Sequence, residues 1–195
     1  MAAGRPRAFD KDKALEMAMR VFWQKGYEGA SLADLTQAMG INPPSLYAAF
    51  GNKEALFRQA VERYQARVAA YGMDALALPT ARGVAEAMLN GAADLQTDRD
   101  HPQGCLMVQG ALACGDEARA LRADLAARRA ANVEALRVRF ERAKQKGDLP
   151  KDADPAALAC FIAAVIYGMA VQASGGATRA ELQGVIDSAM QAWPS

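Results

Sequence analysis

The stretch "GASLADLTQAMGINPPSLYAAFG", residues 29 to 51, predicts two short helices joined by a turn. Ser31 and Asp34 have the spacing of a capping box, which begins the first of these helices, and a glycine ends it. Pro43 and Pro44 favour the start of the second helix, because a proline at the first turn loses no hydrogen bond and Asn42 can act as the N-cap. A longer helix precedes the pair, so the pattern indicates a helix-turn-helix.

The remaining sequence predicts an all-α chain of about nine helices. Of its 195 residues 52% are hydrophobic, with many alanines and leucines and few residues that favour strands. We expect an N-terminal helix-turn-helix domain over residues 1–52 and a C-terminal helical domain over residues 53–195. The other helices are expected at residues 11–25, from about 52 to 77, and at 81–95, 105–114, 116–146, 155–174 and 178–193.

Charge and cysteine content exclude few partners but indicate the compartment. The net charge of +1 is compatible with binding either nucleic acid or small molecules. The three cysteines form no CxxC pair and have no paired histidines, so neither a disulfide framework nor a structural zinc site is expected. The N-terminal residues lack the apolar core of a signal sequence. A cytoplasmic protein without a cofactor or metal is therefore predicted.

Residues 156–173 carry no charge over a length close to that of a membrane-spanning helix. However, this segment is rich in alanine, contains Gln172 and has no flanking cluster of basic residues that would set a topology. We expect a helix buried on all sides and no membrane partner.

The longer segment from residue 26 to residue 57 resembles the DNA-binding region of the TetR/AcrR family of transcriptional regulators. The residues that carry the resemblance are Gly26-Tyr27, Ser31, Gly40, Leu46-Tyr47, Phe50, Lys53-Glu54 and Leu56. It implies a homodimeric regulator, most often a repressor, that binds a palindromic operator in double-stranded DNA and is released by a small-molecule effector.

Both the residues and the resemblance indicate which side chains contact DNA. Proline rings and a serine at the N-terminus of a reading helix can contact base edges, whereas a tyrosine hydroxyl can reach a phosphate. The resemblance gives Ser31 and Lys53 the role of phosphate anchors. The full set of expected DNA contacts is Arg5, Arg7, Ser31, Asn42, Pro43, Pro44, Ser45, Tyr47 and Lys53. Ala48 and Ala49 stand where family members frequently have a larger residue. The operator sequences of those members therefore cannot be assigned to this protein.

The resemblance also implies that the second domain binds a small-molecule effector and forms the dimer. Methionine and aromatic side chains suit adaptable apolar pockets, which selects the candidate lining residues. Each candidate could equally belong to the core. The candidates are Met73, Met88, Cys105, Met107, Phe140, Phe161, Tyr167 and Met169.

Cys105 also suggests a thiol-based sensor of electrophiles or oxidants on the same scaffold. It lies at the predicted start of a helix, where the pKa of a thiol is lowered, and Cys114 could act as a second thiol. His101 could assist the thiol or share a metal ion with it. A buried structural cysteine is the alternative.

Residues 155–193 are expected to form the homodimer interface, because small residues allow two helix pairs to approach closely around a two-fold axis. Two other functions compete with that of a transcriptional regulator. An enzyme has little support, since GxSxG, HExxH, P-loop and GxGxxG motifs are all absent. The other rival is a helical binding protein without specific DNA recognition.

Overall fold

The protein is described from a computed structural model, which covers residues 9–110 and 118–194. Within these ranges the chain forms nine helices and no strand, which confirms the all-α prediction. The helices are α1 (Lys11–Gly29), α2 (Leu32–Met39), α3 (Pro43–Phe50), α4 (Lys53–Leu76), α5 (Ala81–Thr97), α6 (Leu106–Gln109), α7 (Arg119–Gln145), α8 (Pro155–Ser174) and α9 (Arg179–Gln191).

Helix α1 contains a break at Gly26, whereas the helix was expected to end at residue 25. Gly26 has a φ of 69° and a ψ of 178°, after which the chain makes one further helical turn. The break turns the backbone so that the N–H of Tyr27 donates to the carbonyl of Gly110 at 2.9 Å. A backbone contact between α1 and the end of α6 is the result.

The helix-turn-helix forms as predicted because each of its boundaries is determined locally. Gly40 ends α2 in the left-handed conformation, with a φ of 66° that an L side chain would strain. Leu46 and Phe50 lie on the inner face of α3 and are buried. They pack in one apolar cluster with α1 and α4, which fixes the orientation of the opposite face of α3.

That apolar cluster extends beyond the N-terminal helices. It also contains Cys105, Leu106, Leu121 and Leu125, so α6 and the first half of α7 pack on α1 and α4. A second cluster is formed by α5, α8, α9 and the C-terminal half of α7. The proposed domain boundary after residue 52 remains a prediction. Helix α4 supplies buried residues to the first cluster, and its Tyr71 and Leu76 pack against the second.

Three segments differ from their sequence-based descriptions. Helix α6 ends at Gln109, and the rest of the predicted segment, with Cys114, lies largely outside the described residues. Helix α8 has the predicted bounds and is long and apolar enough to cross a membrane, with a mean hydropathy of 2.0. Only 33% of its most apolar window is buried, so the expectation of a helix buried on all sides is wrong for the isolated chain.

Candidate nucleic-acid interface and effector cavity

The N-terminal tip of α3 is an exposed surface without charge. Asn42 caps the helix through its side-chain oxygen, which accepts from the backbone N–H of Ser45 at 2.9 Å. Pro43 and Pro44 occupy the first two helical positions and are exposed. The prolines have no N–H and that of Ser45 is capped, so the tip offers proline rings and the positive end of the helix dipole, with no free helical amide.

Two further predicted DNA contacts are Tyr47 within α3 and Lys53 at the start of α4. Tyr47 is 46% exposed, which leaves its hydroxyl free to reach a partner. Lys53 is the first residue of α4, and its Nζ lies 4.5 Å from the ring centroid of Tyr27. This cation–π contact holds the ammonium group against α1 at the start of α4.

The hydroxyl of Ser31 is already engaged within the N-terminal cap of α2. It donates to Oδ2 of Asp34 at 2.7 Å and accepts from the backbone N–H of Asp34 at 3.1 Å. Nζ of Lys25 donates to Oδ1 of the same carboxylate at 2.6 Å, and this bond, with those from Ser31, lowers the pKa of Asp34 to about 2. A phosphate bound by the Ser31 hydroxyl would therefore have to compete with Asp34.

Two lysines near the reading helix were missed by sequence reasoning. Lys25 lies at the cap of α2, and Nζ of Lys11 lies 5.1 Å from the ring centroid of Phe50 at the end of α3. The sequence shows only that these residues are charged. It does not predict their contacts, because each contact joins two separate helices. Arg5 and Arg7 lie outside the described residues.

A cavity of about 280 Å³ lies between α4, α5, α7 and α8 and is closed at one end by α6. Its wall is mainly apolar, with several polar groups. Five of the predicted pocket residues line it: Met73, Met88, Cys105, Met107 and Tyr167. Met73 is 71% exposed, so it lies at the mouth of the cavity.

The other three pocket predictions are not supported by the geometry. Phe140 is fully buried, and its ring packs edge-on against Trp193 with centroids 5.3 Å apart. Met169 is fully buried in the second apolar cluster. Phe161 is 37% exposed on the outer face of α8. Helical periodicity identified these positions as apolar but did not show which neighbouring helix each one faces.

Sequence reasoning missed several polar residues of the cavity wall, among them Gln96, Arg129 and two tyrosines of α4, Tyr64 and Tyr71. Gln96 had a detectable signal, since it continues the buried stripe of α5 that includes Leu89. A polar residue at such a position is unusual and requires a partner.

Cys105 is buried, which favours the structural alternative over an activated thiol. Burial raises the pKa of its thiol and outweighs the opposing effect of the neighbouring Tyr64 hydroxyl. Cys105 precedes a helix of only four residues, whose dipole is too short to offset burial. His101 does not assist the thiol: its Nε2 lies 2.6 Å from Nη1 of Arg67, and its Nδ1 has no hydrogen-bond partner.

The cavity is in direct contact with the N-terminal helices through Tyr64. This side chain lines the cavity and also packs edge-on against Trp23 of α1, with centroids 4.7 Å apart. The ring of His101 stacks on the same tryptophan at 6.0 Å. Any change in Tyr64 therefore alters the packing of α1.

Two family descriptions match the chain in separate regions. Residues 14–60 match the bacterial regulatory proteins of the tetR family, and residues 82–189 match the tetracyclin repressor-like C-terminal domain. The HTH-type transcriptional repressor ComR of Escherichia coli (strain K12) is 35% identical over 194 residues, which cover 98% of this chain and 92% of ComR.

Solved structures agree with this assignment. A cysteine mutant of the TetR family transcriptional regulator CifR, complexed with 26-base-pair double-strand operator DNA, is 46% identical with a TM-score of 0.92. The match covers 97% of this chain and 100% of that chain. A TetR transcriptional regulator from Rhodococcus sp. RHA1 is 41% identical, with a TM-score of 0.64. This match covers 93% of the present chain and 97% of the Rhodococcus chain. The described fold, the helix-turn-helix and these matches together show that the chain belongs to the TetR family of bacterial transcriptional regulators.

Proposed function

We propose that the protein is a homodimeric repressor of transcription in the cytoplasm that a small molecule releases from its operator. The observation that carries the proposal is the exposed, capped tip of α3, which Leu46 and Phe50 hold rigidly on α1 and α4. Support comes from ComR, which is named a repressor, and from CifR, whose structure contains operator DNA. The matching relatives are regulators and not enzymes.

The proposed DNA contacts divide into two groups. Pro43, Pro44 and Ser45 face base edges in the major groove, where uncharged side chains can distinguish bases. Tyr47 and Lys53 bind phosphates, which adds affinity without sequence information. Ser31 and Asn42 complete the proposed phosphate contacts, and Arg5 and Arg7 are assigned to an adjacent minor groove.

An operator-binding assay on selected genomic fragments tests this division. We expect Tyr47→Phe, which removes one hydroxyl, to weaken binding about ten- to a hundredfold on every sequence, because a single hydrogen bond to a charged group is lost. Ser45→Ala is expected to change the preference among operator variants instead. Equal losses on specific and random DNA for both variants would contradict the assignment, and failure of the wild type to resist nonspecific competitor would refute specific binding altogether.

The homodimer is proposed to form through the outer face of α8 and α9. This face is exposed in the single chain and carries small or apolar side chains, an arrangement typical of a covered surface. Its members are Ala157, Cys160, Phe161, Ala164, Gly168 and Val171 on α8, with Ala180, Gly184 and Ser188 on α9. Pairing around a two-fold axis would place two α3 helices against the half-sites of a palindrome.

Gly168 provides a sharp test of the interface. No atom of the described residues lies within 4 Å of a Cβ added at this position, so a larger residue fits there in the single chain. We expect Gly168→Arg to give a folded monomer by circular dichroism and light scattering, because the added side chain blocks close approach. Ala127→Arg on the exposed surface of α7 is the matched control and should leave a dimer. A dimeric Gly168→Arg protein would refute this interface.

A thiol sensor at Cys105 is a second candidate function, favoured by the position of this residue in the cavity wall. Because burial raises the pKa of the thiol, it would react only with a reagent that enters the cavity. Release from the operator by iodoacetamide, measured for the wild type and Cys105→Ser, separates the two functions. Unchanged release in the serine variant would eliminate the sensor.

A further inference from the structure

The polar groups of the cavity suggest which chemical class of effector it binds. Its volume of about 280 Å³ corresponds to roughly nine waters at about 30 Å³ each. A ligand of about ten non-hydrogen atoms fits such a space, close to the lower end of small-molecule sites. Most of the wall is apolar, so selectivity has to come from its few polar groups.

Gln96 presents an unsatisfied hydrogen-bond acceptor. Its side chain is 98% buried, since its exposed fraction is 2%. The amide Nε2 donates to the backbone carbonyl of Ile166 at 3.1 Å, and because a carbonyl can only accept, this bond fixes the orientation of the amide. Within residues 9–110 and 118–194, its Oε1 has no hydrogen-bond partner. A buried acceptor left alone costs about 1–3 kcal/mol, so a ligand that donates to Oε1 gains affinity by removing this cost.

Arg129 gives the cavity a positive charge. Nη1 of its guanidinium donates to the carbonyl of Met107 at 2.6 Å, which uses one of five N–H groups. Among the described residues, no aspartate or glutamate lines the cavity to balance this charge. The hydroxyls of Tyr71 and Tyr167 belong to the same wall and can donate to an anion. The electrostatic complement of this wall is therefore a negatively charged group.

We propose, on the basis of the repressor function proposed above, that the effector is a small organic anion with an apolar body and a hydrogen-bond donor. Its carboxylate binds Arg129, and its donor, such as a hydroxyl, binds Oε1 of Gln96. The apolar body fills the space beside Met88 and Leu95. This pairing distinguishes the effector from neutral apolar compounds of the same size.

Three probes of nearly equal size test the two polar contacts on the full chain by calorimetry. 4-Hydroxyphenylacetate has both groups, phenylacetate lacks the hydroxyl, and 2-(4-hydroxyphenyl)ethanol lacks the charge. For the wild type we expect 4-hydroxyphenylacetate to bind about tenfold more tightly than the alcohol and about threefold more tightly than phenylacetate. No binding of either acid at about 5 mM, or equal binding of acid and alcohol, would overturn the proposal.

Variants assign each preference to its residue. Arg129→Met should remove the preference for acid over alcohol and leave the preference for the hydroxyl, whereas Gln96→Met should have the reverse effect. Thermal melting identifies a variant that fails to fold, and Arg129→Lys, which keeps the charge, should retain the acid preference. An acid preference that persists in Arg129→Met would assign the charge recognition elsewhere and refute the site.

Operator binding without any probe keeps this inference separate from the proposed function. If the wild type binds its operator but shows no acid preference, the effector class is wrong and the repressor function stands. If it binds no specific DNA, the repressor function is wrong, and the calorimetric preferences still decide whether the cavity selects anions.

Discussion

Replacement of Gly26 by alanine tests whether the break in α1 determines the stability of the N-terminal helices. Gly26 combines a φ of 69° with a ψ of 178°, a region that is open almost only to glycine. A Cβ at this position would lie 3.5 Å from the carbonyl oxygen of Gln109 and 3.7 Å from that of Gly110. Both distances are ordinary contacts, so the cost arises from backbone strain and not from a clash.

The expected magnitude follows from two opposing effects. An alanine held in this backbone region costs about 1–3 kcal/mol, whereas the smaller entropy of the unfolded chain returns about 0.4–1 kcal/mol. The net loss of about 1–2 kcal/mol corresponds to a decrease in Tm of about 2–8 °C for a chain of this size. If α1 relaxes to avoid the strain, the hydrogen bond from Tyr27 to Gly110 is lost, with a cost of similar size.

Thermal melting at one fixed protein concentration measures the effect, because a dimer melts at a temperature that depends on concentration. Gly29→Ala is the matched control, since Gly29 lies in the same helix, has no positive φ, and its added Cβ would lie 3.6 Å from Cβ of Lys25. We expect this control to melt at or slightly above the temperature of the wild type. A Gly26→Ala protein as stable as its control would refute the role of the break.

Three further outcomes are expected. The folded-state pKa of Asp34 is about 2, below the ordinary 3.8. The loss of unfolding free energy in Asp34→Asn should therefore be complete above pH 3.8 and should disappear as the pH falls towards 2. Urea unfolding of both proteins at several pH values measures this loss, and a loss that does not change with pH would contradict the Lys25 contact. Because burial raises the pKa of Cys105, iodoacetamide should modify it more slowly in the folded than in the urea-unfolded protein, by mass spectrometry, and equal rates would disprove the burial. Gly91→Ala would place Cβ 2.6 Å from Cδ2 of Tyr71, so the Tyr71 ring must move. We expect the unfolding free energy to fall by about 1–3 kcal/mol and the calorimetric affinity for 4-hydroxyphenylacetate to change. An unchanged affinity would show that this ring does not shape the cavity.

The DNA end of the molecule was predictable from sequence because its boundaries are local. The caps at Ser31 and Asn42 join residues only three positions apart, so spacing alone determines them. The cavity was less predictable, because it depends on contacts between distant residues, such as Gln96 with Ile166 and Arg129 with Met107. Periodicity identifies an apolar face but not its neighbour, which is why some predicted pocket residues proved to be core.

Helix α4 connects the two sites, and its construction explains how an effector can act on DNA binding. It extends over 24 residues, about 36 Å, from Lys53 beside the reading helix to the cavity. Glu16 of α1 binds this helix at Arg63, at 3.0 Å, and at Arg67, at 2.8 Å, so α1 and α4 shift together. Tyr64 lies one residue beyond Arg63 and contributes to both the cavity wall and the packing of Trp23. A ligand that displaces Tyr64 therefore cannot leave α1 unchanged, and α1 together with α4 supports the buried face of α3.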